Sequence, residues 1–206
     1  DRSKENAEPN LEMFIHVTKD GFGAIGHVDI CYKGRIISFG NYDTNSERLF
    51  GAMGDGVLFS ADREKYIEFC KRENHKTLLG YGLALSPEQL AAVDKEIAKL
   101  MSLTVPWDPP KTVKPKRPGI DKEEPMYAYK LKQEADGRLY KFTSSKFKTY
   151  FVMSTNCVLL ADTIVGAAGT DILSVRGFIS PGTYQDYLDK EFERPHSLVV
   201  TKRVYQ

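Results

Sequence analysis

Cysteine is scarce in this chain and arranged without pattern: three thiols, at positions 31, 70 and 157 of 206 residues. The odd total, wide spacing and lack of a CxxC exclude a disulfide framework and a zinc ribbon, and they leave at least one thiol free. Charge of one sign is lacking too, since 29 Lys and Arg offset 28 Asp and Glu for a formal net charge of +1. With no long basic run outside Lys111 to Arg117, nothing argues for nucleic acid as a partner. No apolar run approaches the length that crosses a bilayer, so no transmembrane segment is expected. Histidine and cysteine show no metal-ligand spacing, and neither a metal nor a cofactor is expected.

What is present reads as a single α+β domain over residues 11–206, an antiparallel sheet packed against helices, with a polar arm over residues 1–10 expected to be disordered. The chain opens on Asp1 with DRSKENAEPN, the leader-stripped look of an exported or membrane-tethered protein, although a trimmed chain would begin the same way. Leu11 to Thr18 is β-branched and aromatic and reads as a strand. HVDICY and RIISFGNYD flank Lys33-Gly34 and read as a hairpin, with His27 opposite Gly40 at its open end. Alternation then places His27, Asp29, Ser38 and Gly40 on one face.

Residues 44–59 are glycine-rich and read as a surface loop, followed by a helix capped by Ser60. Thr77 to Leu85 reads as a strand. Ser86, Pro87 and Gln89 spell the start of a helix, as N-cap, first turn and capping box. The prolines of about 105–125 demand an extended loop. Trp107, beside it, either anchors that loop or lines a substrate groove. MYAYKLKQ and RLYKFTSS alternate and read as two strands joined through Asp136-Gly137. A helix from Ser180-Pro181 and a strand from Ser197 to Tyr205 complete the chain.

The stretch with chemical promise is FVMSTNCVLLADTIVGAAG, residues 151–169. Ser154, Thr155 and Asn156 are consecutive N-cap candidates, so Cys157 opens a helix. Backbone N–H groups and the positive end of the helix dipole converge at such a position, where they favour a thiolate and offer donors to an oxyanion. A nucleophilic thiol needs a base, and the base needs an orienting partner. Of the histidines, His16 lies mid-strand, His75 ends a polar helix and His196 precedes the last strand. His27, beside a glycine at the hairpin mouth, is the one placed to project into a cleft.

Gly26-His27 on a strand, Ser38-Phe39-Gly40-Asn41-Tyr42-Asp43 ending the next, and a late Asn156-Cys157 opening a helix together resemble the circularly permuted papain-like fold of the NlpC-type superfamily. Within it they are most similar to the bacterial extracytoplasmic domains related to the Lnb lipoprotein transacylase N-terminal region. The resemblance covers about residues 12–43 and 147–190. It implies a Cys157 nucleophile, a His27 general base and acid, and an oxyanion hole from the Cys157 N–H and a nearby polar group, with Asn156 and Trp107 as candidate substrate contacts. The third, orienting member stays open. Asn41 and Asp43 have the reach, strand alternation favours Ser38, and Asp29 shares the histidine's face.

The function implied is a cysteine hydrolase cleaving an amide through an acyl-enzyme, with cell-wall peptide as its partner, in a secreted, periplasmic or cell-surface setting. Two alternatives stand beside it: an acyltransferase acting on lipid or lipoprotein through the same thioester, and a non-catalytic binding domain that has kept the fold.

Overall fold

The computed structural model describes residues 2–3, 8–17, 26–74, 77–116, 118–169 and 180–206. Its strands are β1 (Arg2–Ser3), β2 (Leu11–Val17), β3 (His27–Tyr32), β4 (Arg35–Gly40), β5 (Met53–Asp55), β6 (Val57–Asp62), β7 (Thr77–Leu83), β8 (Thr104–Pro106), β9 (Thr112–Val113), β10 (Glu124–Pro125), β11 (Arg138–Phe142), β12 (Thr149–Phe151) and β13 (Val199–Tyr205). The helices are α1 (Arg63–Asn74), α2 (Pro87–Ser102), α3 (Tyr127–Glu134), α4 (Cys157–Gly166) and α5 (Pro181–Glu193). Nine strands form one sheet in the order β1-β13-β7-β2-β3-β4-β6-β11-β8, and β9 with β10 and β5 with β12 form two short ribbons. All the pairings among the described residues are antiparallel.

Alternation sorts this sheet's side chains onto two faces. Met13, Ile30, Phe39, Leu58 and Tyr81 share one core with α2, α4 and α5, whereas Phe14, Cys31, Ile36, Phe59 and Leu78 share another with α1 and α3. The protein is thus a mixed α+β structure whose antiparallel sheet is covered by helices on both sides, and β3 and β4 run through its middle.

The β3–β4 hairpin turns at Lys33 (φ 50°) and Gly34 (φ 75°), two successive left-handed residues as a type I′ connection requires. This turn fixes the register Ile30↔Ile37, Cys31↔Ile36 and Tyr32↔Arg35. Continued toward the open end, it sets Asp29 opposite Ser38 and His27 opposite Gly40.

Several local expectations need correction. Residues 44–59 are not one irregular loop, because they contain β5 and the start of β6, a strand between β4 and β11. Ser60 lies within β6, and it is the Asp62 carboxylate that accepts from Lys65 N (3.0 Å) at the start of α1. Residues 127–134 form α3 rather than a strand, since Ala128, Leu131 and Ala135 are buried at helical spacing. The arm expected to be disordered contributes β1, paired with β13, and Asn10 bonds Leu85 in both directions. The glycine-rich turn up to residue 25, His75, and the connecting segment 171–179 lie outside the described residues.

The capping box of α2 has both of its bonds, Gln89 N to Ser86 Oγ (3.2 Å) and Ser86 N to Gln89 Oε1 (2.9 Å). Ser86→Ala removes one of them and is expected to lower stability by about 1 kcal/mol, read as a lower urea midpoint at unchanged slope.

Candidate active site

His27 opens β3 at the open end of the hairpin, its side chain 24 % exposed. Its Nε2 lies 2.6 Å from Ser38 Oγ and 2.6 Å from Asp29 Oδ1. The Ser38 contact is a hydrogen bond, whereas Asp29 Oδ1 meets the ring as a close ion contact that lacks hydrogen-bond alignment. Asp29 is two residues further along the same face and fully buried. Its other oxygen, Oδ2, is 2.5 Å from His16 Nε2 and accepts from the Tyr66 hydroxyl (2.7 Å).

The pairing of β2 with β3 sets His16 directly opposite His27, their rings edge to face with centroids 5.0 Å apart. One carboxylate is therefore held between two imidazoles. Burial works to raise the pKa of Asp29, but His27 and His16 more than offset it and hold the carboxyl well below its ordinary range.

The chain reaches Cys157 through β12, which is tied to β5, and a tight turn in which Phe151 N donates to Thr155 O (3.0 Å). Asn156 then caps α4. Its Oδ1 accepts from Leu159 N (3.1 Å) and its Nδ2 donates to Val152 O (3.0 Å). Cys157 packs, buried, on the α2/α4/α5 side of the sheet, with its sulfur near enough to His27 at the strand end to act on the charge of the imidazole. Burial disfavours the charge on His27, yet the Asp29 carboxylate and the Cys157 sulfur outweigh it, so the imidazole's pKa is pushed up to about 10. The arrangement holds a proton on the ring at neutral pH, next to a sulfur at a helix N-terminus. Cys31 is the contrast, because burial pushes its thiol up to about 12.

A pocket of about 350 Å³ opens beside the histidine, walled by His16, His27, Gly40 and Asn41 and by the tyrosines 42, 66, 127 and 150. Tyr150 belongs to the core layer of Cys157 and Tyr66 to the opposite layer, so the pocket sits where both layers meet the end of the sheet. Burial and the charge of Asp29 drive the pKa of Tyr42 and of Tyr66 far upward, which keeps both as hydroxyl donors. Tyr42 Oη is 3.0 Å from Ser38 Oγ.

The structure brings Cys157, His27 and Ser38 together and adds Asp29. It does not bring Asn41 or Asp43 to the imidazole. Asn41 stands in the pocket wall with its Nδ2 donating to Gly51 O (2.9 Å). Asp43 accepts from Asn45 N and binds Lys141 Nζ at 2.6 Å. Asn156 spends its side chain on the helix cap. Trp107 lies away from the pocket, packed on the α1/α3 core with Lys141 Nζ 5.0 Å from its ring centroid, so of its two expected roles it fills that of an anchor. His16 is buried at the site, and His196 is exposed. The signal for Asp29 was its two-residue spacing from His27; nothing local signalled His16, which arrives through strand pairing.

His16, His27 and Asp29 also offer three metal-ligand atoms within 4.8 Å of one another. Tetrahedral zinc, with ligands at about 2.0–2.1 Å, sets its donor atoms roughly 3.3 Å apart. The N···O separations of 2.5 and 2.6 Å are those of directly paired groups and are shorter than the spacing zinc imposes, so the cluster as arranged fits ion pairing better than zinc. Among the described residues no helix is long and apolar enough to cross a membrane. Comparison with protein-family models, with curated proteins and with solved structures found no match to this chain.

Proposed function

We propose that this chain is a cysteine hydrolase of the permuted papain-like kind, cleaving an amide bond in a peptide through an acyl-enzyme. The observation that carries the reading is a sulfur at a capped helix N-terminus, beside a histidine that a buried carboxylate and a serine hydroxyl hold from β3 and β4. In the cycle, the Cys157 thiolate attacks the carbonyl carbon and the Cys157 N–H stabilises the developing oxyanion. Protonated His27 gives its proton to the leaving amine, and the neutral ring then takes a proton from water as that water attacks the thioester. Asp29 and Ser38 are positioning residues that fix the ring and favour its charged form.

The pocket supports a peptide rather than a fatty acyl group as substrate. Tyrosine hydroxyls, Asn41 and the histidine form its wall, and such polar groups suit amide carbonyls and N–H groups better than an alkyl chain. We take bacterial cell-wall peptide as the substrate class, as the resemblance to the NlpC-type superfamily implies.

Incubation with purified peptidoglycan fragments, followed by mass spectrometry, is expected to release cut peptides with the native chain and none with Cys157→Ala. A thiol reagent at neutral pH is expected to label Cys157 ahead of Cys31 and Cys70, with the rate falling at least tenfold in His27→Ala. Unchanged labelling in His27→Ala would mean that the two side chains do not act as a pair.

A further inference from the structure

A second cavity, about 300 Å³, opens at the opposite end of the hairpin, on the sheet face that carries α2 and α4. Five residue steps along β3, roughly 16 Å, separate His27 from Tyr32 at its edge. Its floor is apolar, made by Ile37, Leu58 and Tyr140 on three adjacent strands. Its roof is Ile97 and Met101 of α2, and Ile164 of α4 closes the inner end.

The mouth is charged, and its charges do not cancel. Lys33 pairs with Asp94 at 3.1 Å, and the same carboxylate accepts from the Tyr32 hydroxyl (2.8 Å). Arg35 has its donors committed to Asp136 Oδ2 (3.0 Å), Asp136 O (3.1 Å) and Ser60 Oγ (3.2 Å). Arg138, opposite Ser60 in the β11–β6 register, is exposed and makes no ion pair among the described residues. One uncompensated guanidinium thus stands at the rim of an apolar slot. A guanidinium pairs with a carboxylate through two parallel hydrogen bonds, and an apolar slot rewards burial of methylenes. The volume is at the low end for small-molecule sites, about 300–1,000 Å³, which favours one chain over two.

We propose that this cavity binds a single-chain fatty carboxylate, with its alkyl chain between the sheet and α2 and its head group on Arg138. The site is separate from the pocket beside His27 and does not depend on what that pocket does.

Isothermal titration of the full chain with dodecanoate, kept below its micelle concentration, is expected to show saturable one-to-one binding. Dodecyltrimethylammonium, the same chain with the opposite charge, is expected to bind at least tenfold more weakly. Arg138→Gln should weaken dodecanoate about fivefold or more, and Ile97→Trp, which fills the slot, should weaken it at least twentyfold while Cys157 labelling stays at the native rate. If Ile97→Trp does not fold, Met101→Phe narrows the same roof and serves in its place. Absence of saturable binding, equal affinity for the two amphiphiles, or native affinity in the slot-filling variant would each overturn the proposal.

Discussion

Asp29→Asn is expected to remove most turnover, by roughly 10²–10⁴-fold, although Asp29 touches no substrate. The carboxylate is buried between His16 and His27, and its charge is the main influence holding a proton on His27 against the cost of burial. An amide in its place keeps the shape and loses the charge. The imidazole then reverts toward a neutral ring, and the acid that must protonate the leaving amine is missing at neutral pH. The alkaline limb of activity is the sensitive readout. In the native protein it should fall near the pH where His27 loses its proton, about 10, and in Asp29→Asn it should move down by several pH units. An unshifted limb would show that the carboxylate does not control the ring.

The same pair makes stability depend on pH in a defined direction. His27 holds its proton to a higher pH folded, about 10, than its ordinary 6.5, so its contribution is complete below about pH 6.5 and is lost as pH rises toward 10. Asp29 is depressed below 3.8, so its contribution is complete above that value and is lost only in more acid solution. The urea midpoint of the native chain should therefore decline between pH 6.5 and 10, and in Asp29→Asn most of that decline should disappear. Asp29→Ala, which strands the buried His16 imidazole and the partly exposed His27, should cost about 3–5 kcal/mol at neutral pH.

The β3–β4 hairpin was legible because Lys33-Gly34 permits only a tight two-residue turn, and the turn dictates which residues share the face of His27. The start of α4 was legible from its polar cap. By contrast, β6 hid inside a glycine-rich stretch, since a central strand buried on both faces shows no alternation to detect. In α3 the order Tyr-Ala-Tyr-Lys-Leu-Lys imitates alternation, while the buried positions follow helical spacing. Asp29 was harder to rank because an isolated acid on a strand reads as solvent-facing. Its weight comes from His16 and Tyr66, which strand pairing and the packing of α1 bring to it from 13 and 37 residues away. Asn41 and Asp43 had the right chemistry, but the chain past Gly40 leaves the sheet, and nearer partners take up their side chains.

Gly56→Ala and Gly166→Ala are expected to act with opposite sign, and the contrast tests how the Cys157 segment is held. A Cβ on Gly56 would lie 1.7 Å from Phe147 O and 2.9 Å from Phe39 Cε2. The first of these is main chain, so no rotamer change relieves it. Gly56 N also donates to Lys148 O (2.9 Å), and Phe142 N donates to Gly56 O (3.0 Å), which pins the glycine from both sides. The added methyl must push residues 146–148 off the sheet, and with them go Phe147, Tyr150 and the approach to Cys157. Phe39 meets Phe142 and Phe147 edge to face and Tyr150 at a tilt, so the disturbance reaches the pocket wall. The cost should be about 1–3 kcal/mol or more, and a displacement of about 1 Å at the thiol should lower turnover on the order of 10²-fold beyond the loss of folded protein. At Gly166, the last residue of α4, an added Cβ meets nothing within 4 Å, and alanine there should stabilise by about 0.4–1 kcal/mol with labelling of Cys157 unchanged. Urea midpoints for the two variants, measured beside Cys157 alkylation rates, decide the point. A native midpoint in Gly56→Ala would mean that the segment leading to the thiol is not anchored through this contact.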